Sequence, residues 1–287
     1  MDSLEIKPAE RLSGVTPVAA DKSISHRLAM IAAIAEGATT IHNFAESVDC
    51  ESTLECLRNL GVKVERTRSS LIIHGRGLHG LEPPPQALDA GNSGTTVRSM
   101  SGLLAGCGFE SIFVGDESLS RRPMKRIIDP LRQFGATIEA RNGNYLPLKI
   151  LGRPLNAIDF TLPIPSAQVK SCVLLAGLQA QGVTTVHEPV FSRNHTEIAL
   201  AEFGAGIRSR ILHCCGDSRS KFQPSIDRNW IERHTYELYA AARPDAGARY
   251  DYAIIGSKWG TGRRRLCGKL RHCGDGHWRI LDSQYNR

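Results

Sequence analysis

One phrase, repeated three times, constrains the fold of this 287-residue chain more than any other feature. LRNLGVKVE (Leu57 to Glu65) recurs as LRQFGATIE (Leu131 to Glu139) and, fading, as LAEFGAGIR (Leu200 to Arg208). Each copy reads as the last turn of a helix, a glycine C-cap (Gly61, Gly135, Gly204) and a strand. Upstream in each unit an alanine-rich helix ends near Gly37, Gly108 or Gly182, and a β-rich stretch follows: ATTIHNF, FESIFVG or VTTVHEP. In the first two units a strand pair closes the pattern, VKVER with SLIIHG and ATIEA with YLPLKIL. The repeat predicts an α/β fold of three βαβαββ units, the third losing its pattern where the composition changes.

That change falls near residue 206. Residues 1–205 hold 20 Lys and Arg against 21 Asp and Glu, while residues 206–287 hold 16 against 8. The net charge of +7 therefore belongs to the tail, which also holds all three tryptophans, Trp230, Trp259 and Trp278. The longest apolar run, Leu28 to Ala35, is core-sized and far short of the ~18 residues a membrane helix needs. The opening MDSLEIKPAE lacks the basic-then-apolar order of an export signal, so the cytosol is the expected compartment. In a reducing compartment the eight cysteines are not a disulfide framework, and Cys50, Cys56, Cys107 and Cys172, in or beside apolar helices, are expected as buried thiols.

The helix openings carry the candidate chemistry. VAADKSISHRLAMIAAIA places Asp21, Ser23 and Ser25 at a helix start, with Lys22 in the first turn and Arg27 further in. Backbone N–H groups, the positive end of the helix dipole, hydroxyls and fixed cations together favour an anion such as phosphate. A capped helix with solvated cations would read the same way. The second unit repeats the arrangement in GNSGTTVRSM, with Asn92, Gly94 and Arg98, and the third in PIPSAQVKSCVLLAG, with Ser166, Gln168 and Lys170. Three equivalent polar openings point to a shared cleft. His26, between Ser25 and Arg27, either faces that cleft or packs against its own helix.

DKSISHR, GNSGTTVR, SRRPM and SAQVKS, in this order, resemble the signatures of the enolpyruvyl transferases, specifically the EPSP synthase family. FSRNHTE is similar to that family's SRDHTE segment, with Asn194 in place of the aspartate. The resemblance runs from about Ile6 to Gly204. The sister family that uses UDP-N-acetylglucosamine shares the repeats but not the DKSISHR and GNSGTTVR wording.

The resemblance implies two domains, each an inside-out α/β barrel or prism of three βαβαββ units with helices inside and sheets outside. The active site lies in the cleft between them. Residues 1–12 would belong to the second, largely missing domain, residues 13–205 would form the three-repeat substrate-binding domain, and residues 206–287 are a non-matching basic tail. The implied reaction moves the enolpyruvyl group of phosphoenolpyruvate onto the 5-hydroxyl of shikimate 3-phosphate through a tetrahedral intermediate that loses phosphate, with no metal and no cofactor. By motif match Lys22 touches both substrates, while Ser23 and Arg27 hold shikimate 3-phosphate. Gly94 and Arg122 hold phosphoenolpyruvate, Ser166 and Gln168 contact the substrate pair, and Asn92, Arg98 and Arg193 are further candidates. A monomer with no membrane partner is expected.

The family's second half also supplies a carboxylate base, a lysine acid and further arginines, and none of that wording follows Gly206. A segment rich in Arg, Trp, Cys and His that begins mid-repeat has the pattern of an out-of-frame or recombined reading, one that leaves the chain impaired or a catalytically dead binding fragment. Cys267, His272, Cys273 and His277 fit no standard zinc spacing. Arg263, Arg264 and Arg265, with Tyr250, Tyr252 and Trp259, leave a nucleic-acid tail as the third alternative, although basic runs are more often solvated. GRGLHG (Gly75 to Gly80) matches the dinucleotide GxGxxG, but Pro83, Pro84 and Pro85 stand where its helix must open.

Overall fold

The computed structural model describes residues 19–68 and 70–207 in full, the backbone of 208–212, and the strand segments 221–227, 237–239, 258–259, 262–263, 269–272 and 278–281. In the first unit α1 (Lys22–Ile34) leads into β1 (Glu36–His42), α2 (Val48–Asn59), β2 (Lys63–Arg66) and β3 (Ser70–Arg76). The second comprises β4 (Leu88–Asp89), α3 (Gly94–Leu104), β5 (Glu110–Val114), a single turn α4 (Glu117–Ser120), α5 (Lys125–Gln133), β6 (Thr137–Arg141) and β7 (Tyr145–Leu151). A short connection β8 (Leu155–Asn156) precedes the third: β9 (Asp159–Thr161), α6 (Ala167–Gly177), β10 (Ala180–Gln181), β11 (Thr184–His187), α7 (His195–Glu202), β12 (Gly206–Leu212) and β13 (Lys221–Asp227). β14 (Glu237–Tyr239) follows, and the hairpins β15 (Lys258–Trp259) with β16 (Gly262–Arg263) and β17 (Lys269–His272) with β18 (Trp278–Leu281) come last.

The three units build the same sheet. In the second, β4 runs parallel to β5, which pairs antiparallel with β7, and β7 with β6. In the third, β9, β11, β13 and β12 repeat that order and those directions. In the first, β1, β3 and β2 repeat it, and β14 takes the parallel edge with Thr40 opposite Glu237. The glycine C-caps are as the repeat predicts: Gly61, Gly135 and Gly204 have φ of +83°, +103° and +83°, where a β-carbon is strained.

Past residue 205, β12 and β13 pair antiparallel, as β6 and β7 do in the second unit. KFQPSID alternates polar and apolar residues, but Pro224 argues against a central strand, and that is where β13 lies.

The core is a layer of three helices. Every residue of α1 from Ile24 to Ile34 is buried, and α3 and α6 are nearly as enclosed. These helices lie inside with the sheets over them, and the polar residues of α1, Ser25, His26 and Arg27, are buried there with hydrogen-bond partners. α3 and α6 touch backbone to backbone at Gly102, where a β-carbon would fall 2.2 Å from the Cys172 carbonyl oxygen. That close approach brings the N-terminal ends of α3 and α6 within side-chain reach. Cys50, Cys56, Cys107 and Cys172 are buried free thiols, as expected, and burial pushes Cys56 and Cys107 up to about 12.

Candidate functional site

Each inner helix is capped by the short polar residue at its opening. Asp21 accepts from the Ile24 amide at 2.8 Å, Ser93 from Thr96 at 3.2 Å and Ser166 from Val169 at 3.4 Å. Side chains tie these openings together. Gln168 donates to Thr95 Oγ1 at 3.0 Å and accepts from Arg98 Nη1 at 3.0 Å, joining α6 to α3. Arg27 Nη2 reaches the Ala167 carbonyl at 3.4 Å, joining α1 to α6. Beneath them His26 Nδ1 lies 2.6 Å from Thr53 Oγ1, which lies 2.6 Å from Thr96 Oγ1, which donates to Ser93 Oγ at 2.7 Å. His26 is therefore a core residue and not a cleft residue. Burial pushes its imidazole down to about 4, so it is neutral at physiological pH.

Ser23, Arg27 and Arg193 form one group of candidate residues, and Ser166 caps α6 next to the Ala167 carbonyl that Arg27 reaches. The Arg193 guanidinium donates to Ser23 Oγ at 3.2 Å, bringing the FSRNHTE segment against DKSISHR. Arg27 is only 3% exposed. It donates to Thr196 Oγ1 at 2.7 Å, Ser171 Oγ at 3.0 Å and the Ser23 carbonyl at 2.8 Å. Burial first, and the nearby Arg193 charge second, lower it to about 10, so it still carries its proton at neutral pH. Arg27 thus supports this group from below with its hydrogen bonds already made.

Asn92, Gly94, Arg98, Arg122 and Gln168 form the other group. Asn92 holds the Arg122 guanidinium through its carbonyl at 2.5 Å, and its amide donates to Asp116 at 2.6 Å. Arg98 lies against Gly94, where a β-carbon would come 2.6 Å from its Nη1. Burial, then the charges of Arg122 and Arg126, hold Arg98 below the usual guanidinium value. Among the described residues none of Arg27, Arg98, Arg122 and Arg193 forms an ion pair with a carboxylate. A group of guanidiniums without direct carboxylate partners, set among hydroxyl and amide donors, is suited to hold polyanions.

Two lysines part company with these guanidiniums. Lys22 is half exposed and pairs with Asp49 of α2 at 2.6 Å. It borders a cavity of about 470 Å³ lined also by Asn43, Ser47, Arg66 and Ser70, which contains none of the four arginines. Lys170 turns into the core, where Glu197 and Glu188 neutralise it at 2.6 and 2.7 Å. It is not part of an exposed anion site, contrary to the sequence grouping of Ser166, Gln168 and Lys170.

The sequence reading missed the groups that position the site: Thr196, Ser171, Asp49, Asp116, Glu188 and Glu197. Thr196 and Glu197 lie inside FSRNHTE, so the motif marked the place without revealing that its hydroxyl and carboxylate face inward. Among the described residues no group of three or more His, Cys, Asp and Glu side chains is placed to hold a metal, and Cys267, His272, Cys273 and His277 lie outside the described side chains. No described helix is long and apolar enough to cross a membrane.

The fold is a repeat-built α/β arrangement with arginines gathered at the openings of its inner helices. A family profile for EPSP synthase (3-phosphoshikimate 1-carboxyvinyltransferase) matches residues 6–215, and the chain belongs to that family. The 3-phosphoshikimate 1-carboxyvinyltransferase of Solibacter usitatus is 56% identical over 200 residues, covering 70% of this chain and 47% of that protein. The Bacillus subtilis protein of the same name is 50% identical over 196 residues, covering 68% and 46%. The solved EPSP synthase of Acinetobacter baumannii superposes with a TM-score of 0.72 at 41% identity, over 79% of this chain and 49% of that one. The chain spans about half the length of the curated relatives it matches.

Proposed function

We propose that this chain, a cytosolic monomer, binds shikimate 3-phosphate and supplies one wall of the site that transfers the enolpyruvyl group of phosphoenolpyruvate to its 5-hydroxyl. In that reaction the hydroxyl oxygen adds to C2 of phosphoenolpyruvate, and the tetrahedral adduct then loses inorganic phosphate. The reading is carried by one observation: Arg27, Arg98, Arg122 and Arg193 gather at the openings of the inner helices without carboxylate partners among the described residues.

Ser23 and Arg193 receive the phosphate of shikimate 3-phosphate, with the Arg27 charge beneath. Gly94 and Arg122, steadied by Asn92, receive phosphoenolpyruvate. Arg98, Gln168 and Ser166 lie where the two substrates meet, and Lys22 leaves Asp49 to touch both. Both substrates are polyanions, so aligned cations and donors serve positioning and charge stabilisation together.

Residues 13–205 carry this binding role, while residues 206–287 lack the family's wording for the base, the acid and the second set of arginines. Losing a base or an acid costs ~10²- to 10⁴-fold each, so the chain by itself binds without turning over. Calorimetry with shikimate 3-phosphate should give binding heat, and phosphate release from added phosphoenolpyruvate should be absent between about pH 6 and 9. No heat would end the reading. Steady release abolished by Lys22→Ala would mean that residues 206–287 provide catalytic groups.

A further inference from the structure

We propose that Lys170 is a positioning residue that locks the 188–192 loop and thereby delivers Arg193 to Ser23. The inference rests on the reading of Arg193 as a substrate-binding arm and names the device that holds it in place. Lys170 lies four residues beyond the Ser166 cap on α6 and is wholly enclosed. An ammonium has three protons to donate. Here two acceptors take hydrogen bonds from it, Glu188 Oε2 at 2.7 Å and the Ser192 carbonyl at 3.4 Å, and Glu197 Oε1 forms an ion pair with it at 2.6 Å. The Phe191 ring centroid lies 5.6 Å from Nζ, within cation–π range.

The same groups close the loop on itself. The second oxygen of Glu188 accepts from the Ser192 hydroxyl, so Glu188 and Lys170 grip the loop at its beginning and its end. Arg193 follows immediately. Beyond it Glu197 on α7 is held by the same ammonium, so the chain is fixed on both sides of Arg193. Apolar burial cannot do this work, because Val190 and Phe191, the loop's large hydrophobic side chains, are 56% and 52% exposed. Enclosing one ammonium and two carboxylates is costly, and an apolar residue of similar volume would fill the same space. A charge kept at that cost, with its acceptors on the segment that carries Arg193, has positioning as its use.

The test measures shikimate 3-phosphate binding by the full chain as wild type, Lys170→Met, Ser192→Ala and Arg193→Ala, and as each of the first two variants combined with the third. Ser192→Ala removes only the hydroxyl tie and keeps the ion cluster, so it serves if Lys170→Met fails to fold. Lys170→Met should weaken binding about tenfold or more and Ser192→Ala about threefold, and neither should weaken it further once Arg193 is alanine. A merely structural role would reduce binding equally with or without Arg193, and that result, or no weakening in either single variant, overturns the proposal. If the wild type does not bind shikimate 3-phosphate, the functional reading fails and amide hydrogen exchange decides the positioning alone. The 188–193 amides should then exchange about tenfold faster in both variants while those of α1 are unchanged, and unaltered loop exchange overturns it.

Discussion

Lys22 and Lys170 open helices of the same buried layer and live in opposite surroundings. Lys22 is 51% exposed in its side chain and faces one carboxylate that water also reaches. Lys170 is 0% exposed and faces two carboxylates in the core. A cation near a helix start is therefore no guide by itself to a ligand. What decides its role is whether the carboxylates near it are solvated or enclosed.

The contrast breaks most readily at Lys170. Lys170→Met leaves Glu188 and Glu197 enclosed and facing each other, and should lower the unfolding free energy by about 3 to 5 kcal/mol, read from the denaturant midpoint at constant m. Adding Glu188→Gln and Glu197→Gln should return most of that loss, because the cost lies in the stranded charges. A loss below about 1 kcal/mol would place Lys170 in the same class as Lys22. Arg27→Ala should cost about 2 to 4 kcal/mol, since it removes a buried donor shared by Thr196, Ser171 and the Ser23 carbonyl. Arg27→Lys should not restore it, because one ammonium cannot span the positions a planar guanidinium fills. An unchanged midpoint in Arg27→Ala would return Arg27 to the exposed, ligand-facing set to which its motif assigns it.

The repeat made most of the architecture legible. LRNLGVKVE and its copies carry a helix end, a left-handed glycine and a strand in nine residues, and local rules are enough to read them. The polar openings at Lys22, Gly94 and Ser166 were legible for the same reason. The direction in which each cation turns was not. Lys170 meets Glu188 and Glu197 only after α6 packs and the chain returns through β11 to α7, and no short-range spacing encodes that return. Arg27 likewise meets Thr196, 169 residues away in the chain. β14 was illegible for a third reason: it completes the first sheet from nearly two hundred residues further along, in a segment whose composition had already left the repeat.

The smallest expected effect on stability is at Lys22, and it sharpens the comparison from the other side. Its ion pair with Asp49 is solvated, and exposed pairs of this kind are worth roughly 0 to 1 kcal/mol after side-chain entropy and salt screening. Lys22→Ala should therefore move the unfolding free energy by less than about 1 kcal/mol. On the functional reading the same change should weaken shikimate 3-phosphate by ~1.5 to 3 kcal/mol, the scale of one charge-assisted hydrogen bond. Asp49→Asn separates the two effects. With its carboxylate neutralised, Lys22 is released toward the cleft, so binding should hold or strengthen slightly while stability changes as little as in Lys22→Ala. If both variants weaken binding equally, the ion pair itself shapes the site and Lys22 is structural. If Lys22→Ala alone weakens it, the exposed lysine answers to the ligand and the buried one to the fold.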